Sequence, residues 1–470
     1  MVKNKLMTDE RLEAFENSLC QAIKIMGKPQ KRENIEDRMT YHQVPGVSLT
    51  IIEDFDVLGS ASYGVIEANS KDQVIAKTLF QAASISKPIA ALGALQLVEK
   101  GLLDLDEDIN PHLYTWQVPQ NEFINEEKVT LRGLLTHNAG LTVHGFRGYA
   151  EGEALPTVID ILAGKEPANS EAILVDKVPN QDFRYSGGGY TVMQLLVEEV
   201  SGISFDRFMK VAVLDRLGMR ASTYQQPLLP DASIHVASGH QLTGELLPGK
   251  WHVYPELAAA GLWTTPFELA KYLIAVQKAW KGEDGFIGKE MILEMLKEHP
   301  GKRGLGPILG ADGDQFWFGH GGSNEGYRCM MIGFPESGQG IVVMTNSDNG
   351  ANLYWEIIRS AAEVFNWPGS EFRFKEKEAV EQNIDEAAGL IGRYQMTGMP
   401  LQADINFEDG SLYLKIPEML LHKVQLFLGT DGNYFSAEDG SELSFKKEEG
   451  IMNCELKTAF HCLQLTKMAA

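Results

Sequence analysis

Strand-like stretches enclose a long helical region in this chain. VPGVSLTIIED (44–54) and VLGSASYGVIE (57–67) are β-rich runs joined by a tight turn, and further strands are predicted over 314–346. Residues 84–290 mostly follow helical periodicity, and a helix is predicted at 351–365. Because a sheet buries its faces under helices, we expect one antiparallel sheet assembled from the two strand regions. The sequence therefore predicts an α/β (α+β) fold in which helices flank the sheet and a mostly helical subdomain lies beside it.

The residue pattern changes after about residue 375, where short runs of alternating polar and apolar residues predict strands separated by DG, EDG and EEG turns. This pattern predicts a small all-β domain of sandwich or barrel type. We expect one domain over residues 1–370 and a second over 378–470. At the amino end, apolar residues at helical spacing predict a helix over 8–26.

Composition excludes several classes of partner. The formal net charge of −22 argues against nucleic acid and anionic membrane surfaces, because both are anionic. Cys20, Cys329, Cys454 and Cys462 are scattered without paired spacing, so neither a zinc site nor a disulfide framework is indicated. The sequence has no signal-like or membrane-spanning apolar run. We expect a cytoplasmic protein, although an exported protein without its signal would look the same.

A serine and a lysine stand three residues apart where a strong helical pattern begins. In QAASISKPIAALGALQLVEKGLL, Ser84 and Lys87 share one helix face, so the ammonium can reach the hydroxyl. Pro88 supports a helix start here, since proline is tolerated in the first turn. The same spacing recurs at Ser444 and Lys447 in a predicted strand, where residues three apart point to opposite faces. We interpret that second copy as chance.

Two further stretches carry candidate functional side chains. FRYSGGGYTVMQLL (183–196) places Tyr185 before three glycines, which we interpret as a bare turn that leads into a predicted helix. WFGHGGSNEGY (317–327) places His320 on a predicted strand whose glycines allow a substrate backbone to approach. A similar His-x-Gly at 299–301 lies in a predicted loop, so neither stretch is specific by itself.

Together and in this order, the three motifs resemble those of the serine β-lactamase and penicillin-binding-protein superfamily. The resemblance is to the class C β-lactamase-like branch, which includes D-alanyl-D-alanine carboxypeptidases, D-aminopeptidases and esterases; the branch carries SxxK, Tyr-x-Asn and Lys/His-x-Gly. LRGLLTHNAGL (131–141) and AAAGLWTTPFELAKYL (258–273) are also in the family's style. The resemblance covers about residues 10–366 and implies a β-lactamase/transpeptidase-like fold. The all-β segment resembles the lipocalin-like modules appended to some members.

The resemblance implies a serine hydrolase that forms an acyl-enzyme. Tyr185 and Lys87 would deprotonate Ser84, because a neutral tyrosine is a poor base unless a cation stabilises its phenolate. The backbone N–H groups of Ser84 and Ser323 would form the oxyanion hole, by match to the family's positions. His320 would hydrogen-bond the tyrosine or the substrate. An unperturbed histidine titrates near 6.5, so we expect activity to vary between pH 5 and 8.

The chain departs from the family pattern at Gly187, where relatives carry the asparagine that binds the substrate amide. Gly187, Gly321 and Gly322 are our candidate substrate-binding positions. The missing asparagine disfavours a true β-lactamase, and His320 in place of lysine weakens carboxylate recognition. We therefore expect esters or D-amino-acid-containing peptides and amides as substrates. A β-lactamase or a penicillin-binding carboxypeptidase is the alternative.

A catalytically silent peptide-binding protein of the same fold is a second alternative, which the intact Ser84, Lys87, Tyr185 and His320 disfavour. His137, in THNAG, is either a base or a structural turn histidine. We expect no cofactor and no metal, because no paired-histidine motif is present. A small ester or peptide is the expected partner, and a homo-oligomer is left open.

Overall fold

A computed structural model describes residues 9–229, 235–283, 285–312, 315–398, 401–416, 421–448, 450–458 and 462–468. By their contacts these residues form two compact units, Met39–Tyr354 and the combination of Glu10–Arg38 with Trp355–Ala470. The α-helices are α1 Asp9–Glu16, α2 Ile35–Tyr41, α3 Ser86–Glu99, α4 Leu131–Leu135, α5 Val158–Ala163, α6 Gly187–Ser201, α7 Phe205–Met209, α8 Leu257–Ala260, α9 Pro266–Lys281, α10 Lys289–Met295, α11 Gly350–Val364 and α12 Ile384–Ala387.

The strands of the first unit are β2 Gly46–Glu53, β3 Asp56–Gly64, β4 Phe80–Gln81, β5 Trp263–Thr264, β6 Ile308–Asp312, β7 Gln315–Asn324, β8 Tyr327–Gly333 and β9 Gly340–Thr345. Those of the second are β1 Ile23–Ile25, β10 Lys375–Lys377, β11 Ala379–Val380, β12 Gly392–Met396, β13 Gln402–Glu408, β14 Ser411–Ile416, β15 Leu421–Gly429, β16 Tyr434–Ser436, β17 Glu442–Glu448, β18 Ile451–Lys457 and β19 Cys462–Lys467.

The main sheet of the first unit joins the two strand regions of the sequence. Its order is β3-β2-β9-β8-β7-β6 and every neighbouring pair is antiparallel. The β2–β9 pair, in which Val47 lies opposite Thr345, closes the sheet across the long helical region. The predicted antiparallel sheet is therefore confirmed. Strand β6, which pairs with β7, was not predicted.

Helices cover the central strands of this sheet. Almost every residue of β2 and β9 is buried, as expected for strands that are covered on both faces. Helix α9 packs against both strands. It begins after Thr265, whose hydroxyl accepts the N–H of Glu268 at 3.2 Å, and it ends at Gly282 in the left-handed conformation. Among the described helices, none combines the length and the apolar character that a bilayer crossing requires.

The C-terminal strands of the second unit form a closed barrel. Strands β12 to β19 pair in the order β15-β14-β13-β12-β19-β18-β17-β16, and the β15–β16 pairing completes the cylinder. Inward-facing apolar side chains, among them Tyr394, Leu412, Leu426, Leu443 and Leu456, form its buried core. The predicted small all-β, lipocalin-like domain is confirmed as a barrel. Closure leaves no exposed strand edge between these eight strands.

The amino end differs from the helix predicted over 8–26. Helix α1 ends at Glu16, and β1 pairs in parallel with β10. Ile23, which is 5% exposed, packs with Phe435 and Ala437 of the second unit. Strand pairing and this apolar contact override the local helical periodicity. The division at 370–378 stays a prediction, since by contacts residues 10–38 group with the C-terminal part.

Limited digestion with a glutamyl endopeptidase should test how these segments hold together. Glu371 is exposed between α11 and β10, so we expect an early cut after it. Because residues 10–38 belong to the second unit, the two fragments should co-elute in gel filtration and separate in urea. A C-terminal fragment that elutes alone as a folded barrel would show that residues 10–38 are dispensable to it.

Candidate active site

Ser84 lies on a strained turn between a short strand and a buried helix. Ala83, the residue before it, has a φ of 50°, which is uncommon for a residue with a side chain. Ser84 occupies the 3₁₀ turn Ala83–Ile85 that leads directly into α3. It is partly exposed, whereas the residues on both sides of it are buried. Local strain of this kind is typical of functional positions, and it directs the hydroxyl toward the cleft.

Lys87 is the buried partner of Ser84. Its Nζ donates to the Ser84 Oγ at 3.1 Å and to the carbonyl oxygen of Ala259 at 2.8 Å. The side chain is almost fully buried, and Ala259 belongs to α8. The predicted contact across one helix face is therefore present. Ser444 and Lys447, the second copy of the spacing, lie on barrel strand β17.

Tyr185 joins this pair just before α6. The Lys87 Nζ lies 5.0 Å from the centroid of the phenol ring, and the His320 ring centroid lies 6.4 Å from it. The ring is held between His137, stacked at 4.2 Å, and His144, tilted at 4.9 Å. The structure thus brings the two predicted residues Tyr185 and His320 together near Lys87, in the first turn of α3.

The three glycines after Tyr185 form the first turn of α6, not the bare turn that the sequence suggested. Ser186 caps this helix by accepting the N–H of Gly189 at 2.9 Å. A Cβ atom on Gly187 would lie 3.1 Å from the carbonyl oxygen of His144, and one on Gly188 3.0 Å from a carbonyl oxygen and a side chain. The glycines therefore allow the helix to pack tightly against the 142–146 segment. A substrate-binding role for Gly187 stays a prediction.

His137 holds the backbone on both sides of Tyr185. Its carbonyl oxygen accepts the N–H of Arg184 at 3.0 Å, and its Nδ1 accepts the N–H of Ser186 at 3.1 Å. The second bond requires the ring proton to be on Nε2. Together with the stacked ring, these contacts make His137 a positioning residue for Tyr185. Of the two interpretations of this histidine, the structural one fits the geometry.

Strand β7 brings His320 and its glycines close to the Ser84 turn. A Cβ atom on Gly322 would lie 2.3 Å from both the carbonyl oxygen of Ala82 and the Sγ of Cys329, so only glycine fits. His320 is 3% exposed and donates from Nδ1 to the carbonyl oxygen of Gly321 at 2.6 Å. Its Nε2 is buried without a partner among the described residues, and is thus an available acceptor.

The remaining predicted positions of β7 border the same strand segment. Gly321 is partly exposed and Ser323 is exposed, whereas Gly322 between them is buried. This alternation follows the pleat of the strand. The oxyanion role of Ser84 and Ser323 and the substrate-binding role of Gly321 and Gly322 stay predictions.

The surroundings of His137 and His320 keep both of these histidines neutral in the folded protein. Burial, followed by the charges of Arg303 and Lys87, holds the pKa of His320 well below its usual value. Burial and the same two cations, with His320, lower the pKa of His137 in the same direction. The expected titration of His320 near 6.5, which assumed an unperturbed ring, is therefore corrected. A buried imidazole next to two cations resists a further positive charge.

Arg303 is the cleft residue that sequence reasoning missed. Its guanidinium carbon lies 5.5 Å from the Tyr185 ring centroid and 5.2 Å from that of Phe183. Its Nε and Nη1 are buried, and no described residue accepts a hydrogen bond from them. The turn that delivers it begins with the predicted loop His-x-Gly, whose Gly301 has a φ of 79° and packs on Phe183. No sequence motif signals this residue.

The cleft therefore combines a nucleophile with two cations. Lys87 and Arg303 carry positive charge, and His137 and His320 are neutral. Among the described residues, no set of three acidic, cysteine or histidine ligand atoms in the cleft has the spacing of a metal site. Such an arrangement favours chemistry in which negative charge develops next to Ser84, as it does when an oxygen nucleophile attacks a carbonyl group.

Comparisons with known proteins find related sequences and similar folds. A sequence model of the β-lactamase family, described as "Beta-lactamase", matches residues 32–363. Penicillin-binding protein 4* of Bacillus subtilis is 24% identical over 426 residues, which cover 86% of this chain and 90% of that protein. The octameric penicillin-binding protein homologue from Pyrococcus abyssi has a TM-score of 0.63 at 23% identity, with 92% and 98% of the two chains covered. D-amino acid amidase from Ochrobactrum anthropi, in complex with D-phenylalanine, has a TM-score of 0.58 at 20% identity, with 76% and 99% covered.

Substitutions at His137 should distinguish the contribution of its hydrogen bond to Ser186 from that of its side-chain volume. Asparagine and glycine both tolerate the φ of 61° at this position, but only asparagine offers an acceptor to the N–H of Ser186. We expect His137→Gly to slow labelling of Ser84 by a fluorophosphonate about tenfold, because a buried N–H left unpaired costs about 1–3 kcal/mol. His137→Asn should recover most of that rate. Equal rates for the two variants would contradict the positioning role.

The folded protein should become less stable as the pH is lowered, because His137 and His320 are neutral in it. A histidine with a lowered folded-state pKa contributes stability above its unfolded value near 6.5, and this contribution is lost as the pH falls below it. We expect the thermal unfolding midpoint to drop between pH 7 and pH 5, and His320→Gln to flatten that drop. His112→Gln, which changes a histidine outside the cleft, is the control. An equal effect of both substitutions would contradict the assignment.

Proposed function

The chain belongs to the β-lactamase family, and from this premise we propose that it is a serine hydrolase that acts through an acyl-enzyme on Ser84. Its substrate in this proposal is a D-amino-acid-containing peptide, or a related ester, that carries a carboxylate near the reacting carbonyl group. The observation that carries the substrate assignment is the unpaired guanidinium of Arg303 in the cleft.

The proposed reaction begins with transfer of the Ser84 proton. Tyr185, as a phenolate stabilised by the positive charge of Lys87, takes this proton as the Oγ attacks the carbonyl carbon, while the Lys87 Nζ donates to the Oγ at 3.1 Å. The oxyanion that forms is stabilised by the backbone N–H groups of Ser84 and Ser323. Collapse of this intermediate breaks the bond to the leaving group, which takes the proton, and leaves the acyl chain on the serine oxygen. A water molecule then attacks the acyl carbon and gives its proton to Tyr185, which passes it to the Ser84 Oγ as the acyl–oxygen bond breaks, so that the acid is released and the serine is restored.

Arg303 supplies the charge that a carboxylate-bearing substrate needs. An arginine offers several N–H donors in a planar fork that matches a carboxylate, and such charge-assisted bonds are stronger than neutral ones. No described carboxylate pairs with this guanidinium, so no ion pair among the described residues competes with a substrate carboxylate for its charge. His320 is neutral and offers an acceptor instead of a second cation. Recognition of the carboxylate would thus shift from the β7 position, where relatives can carry lysine, to Arg303.

The structural neighbours support a D-amino-acid substrate, because one of them is a D-amino acid amidase bound to D-phenylalanine. A neutral ester is the second candidate, and Gly187 favours it because glycine provides no side chain to bind a substrate amide. Penicillin-binding protein 4* is known by its binding of penicillin, so β-lactams belong in the same substrate panel. A silent binding protein is disfavoured by the Ser84–Lys87 contact.

The assembly state is also a proposal. One structural neighbour is an octamer, and we infer that this chain forms a homo-oligomer. The barrel would then either stabilise the chain or contribute to contacts between copies. Light scattering of the purified full-length chain measures its assembly state directly.

A matched pair of substrates tests the proposed function. We expect N-acetyl-D-alanyl-D-alanine to be cleaved at least tenfold faster, in kcat/KM, than the same peptide with a C-terminal amide. The reason is that a hydrogen bond to a charged group contributes about 1.5–3 kcal/mol. Arg303→Gln should remove this preference, and Lys302→Gln, an exposed neighbour, should retain it. p-Nitrophenyl butyrate and nitrocefin complete the panel.

Labelling with a fluorophosphonate separates the enzyme from the silent alternative. The adduct should map to Ser84, disappear in Ser84→Ala and persist in Ser444→Ala. An adduct that survives Ser84→Ala would contradict the assignment of the nucleophile. Equal cleavage of the free and amidated peptides by the unmodified protein would leave the hydrolase intact but overturn the carboxylate assignment.

A further inference from the structure

A second polar pocket lies in the first unit, and two short segments give residues both to it and to the catalytic cleft. The pocket holds ≈ 480 Å³. In one segment, Thr136 and Asn138 line the pocket, whereas His137 between them stacks on Tyr185. In the other, His299 lines the pocket at the start of the turn that carries Arg303 to the cleft. The pocket is therefore a separate space with a shared wall.

The walls of this pocket carry carboxylates in excess of available cations. Asp108, Glu126 and Glu127 line it and form no ion pair among the described residues. The two cations in the wall already have partners. Arg132 pairs with Asp106 at 2.6 Å and also with a glutamate of α10, and Lys128 donates to two backbone carbonyl oxygens at 2.7 and 3.2 Å. Carbonyl oxygens do not neutralise Lys128, but the four lining carboxylates outnumber the two lining cations, so the net charge facing the pocket is negative.

A buried acceptor without a donor points to the kind of ligand. Asn138 is 4% exposed and lines the pocket. Its Nδ2 donates to the Thr136 Oγ1 at 3.0 Å, but no described residue donates to its Oδ1. The Thr136 hydroxyl is itself committed to the carbonyl oxygen of Arg132 at 2.8 Å. A buried acceptor of this kind is stabilised when a guest molecule brings an N–H or O–H donor to it.

The spacing of the carboxylates argues against a metal ion. Among the described acidic and histidine side chains of this pocket, no three ligand atoms lie within 4.8 Å of one another. A metal ion requires such convergence, whereas an organic cation with several N–H donors can span separated carboxylates. The pocket is also large enough for a chain of several atoms.

We infer that this pocket binds a protonated primary amine, which donates to the Asn138 Oδ1 and is balanced by Asp108 and the glutamates at its rim. The amine is either a free small molecule or the amino end of a peptide that also reaches the cleft. The inference does not rest on the proposed function, because binding can be measured in a chain that cannot turn over.

Calorimetry on the full-length Ser84→Ala variant tests the inference with butane-1,4-diamine as the probe. Butane-1,4-diol, which lacks charge, and tetramethylammonium, which lacks N–H donors, are the matched probes. We expect saturable binding of the diamine alone, weakened as the salt concentration rises. Equal binding of the diamine and the diol would overturn the inference.

Variants locate the binding to the pocket. Asp108→Asn retains an oxygen for the N–H of Asn110, which Asp108 accepts at 3.0 Å, so we expect it to fold. It should weaken diamine binding about fivefold, the size typical of a partly exposed ion pair, and Glu126→Gln should act in the same direction. Glu107→Gln, an exposed neighbour outside the pocket, is the control. Unchanged binding in both Asp108→Asn and Glu126→Gln would also overturn the inference.

Kinetics on the active chain distinguishes the two sources of the amine. If the amine belongs to the peptide, the diamine should compete with D-alanyl-D-alanine, and Asp108→Asn should raise KM for that peptide but not for its N-acetyl form. If the amine is a separate molecule, both KM values should stay unchanged while the diamine still binds. Either result supports the amine site and assigns its ligand.

Discussion

The close approach of strand β7 to the turn before Ser84 is the contact on which the catalytic cleft depends. Gly322 fits against the carbonyl oxygen of Ala82 only because it has no side chain. This contact joins the sheet, which carries His320, to the helical region, which carries Lys87 and Tyr185. The left-handed Ala83 then aligns the hydroxyl of Ser84 with that junction. The chemistry thus follows from a backbone-to-backbone contact between two parts of one unit.

The sequence predicted the features that depend on local chemistry. Spacing of three residues at a helix start is enough to infer the Ser84–Lys87 contact. Alternation with turn residues is enough to infer a small C-terminal all-β domain, but it leaves a sandwich and a barrel open, and the structure shows the barrel. The antiparallel sheet followed from strands on both sides of a helical region. The roles of Ser323 and Gly187 rest on family resemblance alone and stay predictions.

Features that depend on long-range contacts could not be predicted. Arg303 reaches the cleft through a turn whose conformation is fixed by packing on Phe183, and no pattern in the sequence marks it. The pKa of His320 is lowered by burial between elements, so the pKa of an unperturbed histidine gave the wrong expectation for its titration. Residues 17–26 satisfied a helical pattern, yet Ile23–Ile25 pairs as a strand with a partner far along the chain. Neither burial nor pairing is encoded in a short window.

The β2–β9 pairing also has a consequence during synthesis. Because Val47 lies opposite Thr345, strand β2 cannot pair with β9 until most of the chain has left the ribosome. Synthesis of the intervening residues takes on the order of tens of seconds. During that interval one edge of a strand that the folded protein buries almost completely is exposed on the nascent chain. The β2–β3 hairpin can form early, but the sheet cannot. Productive folding therefore requires that this edge stay unpaired with other chains until β9 has been synthesised.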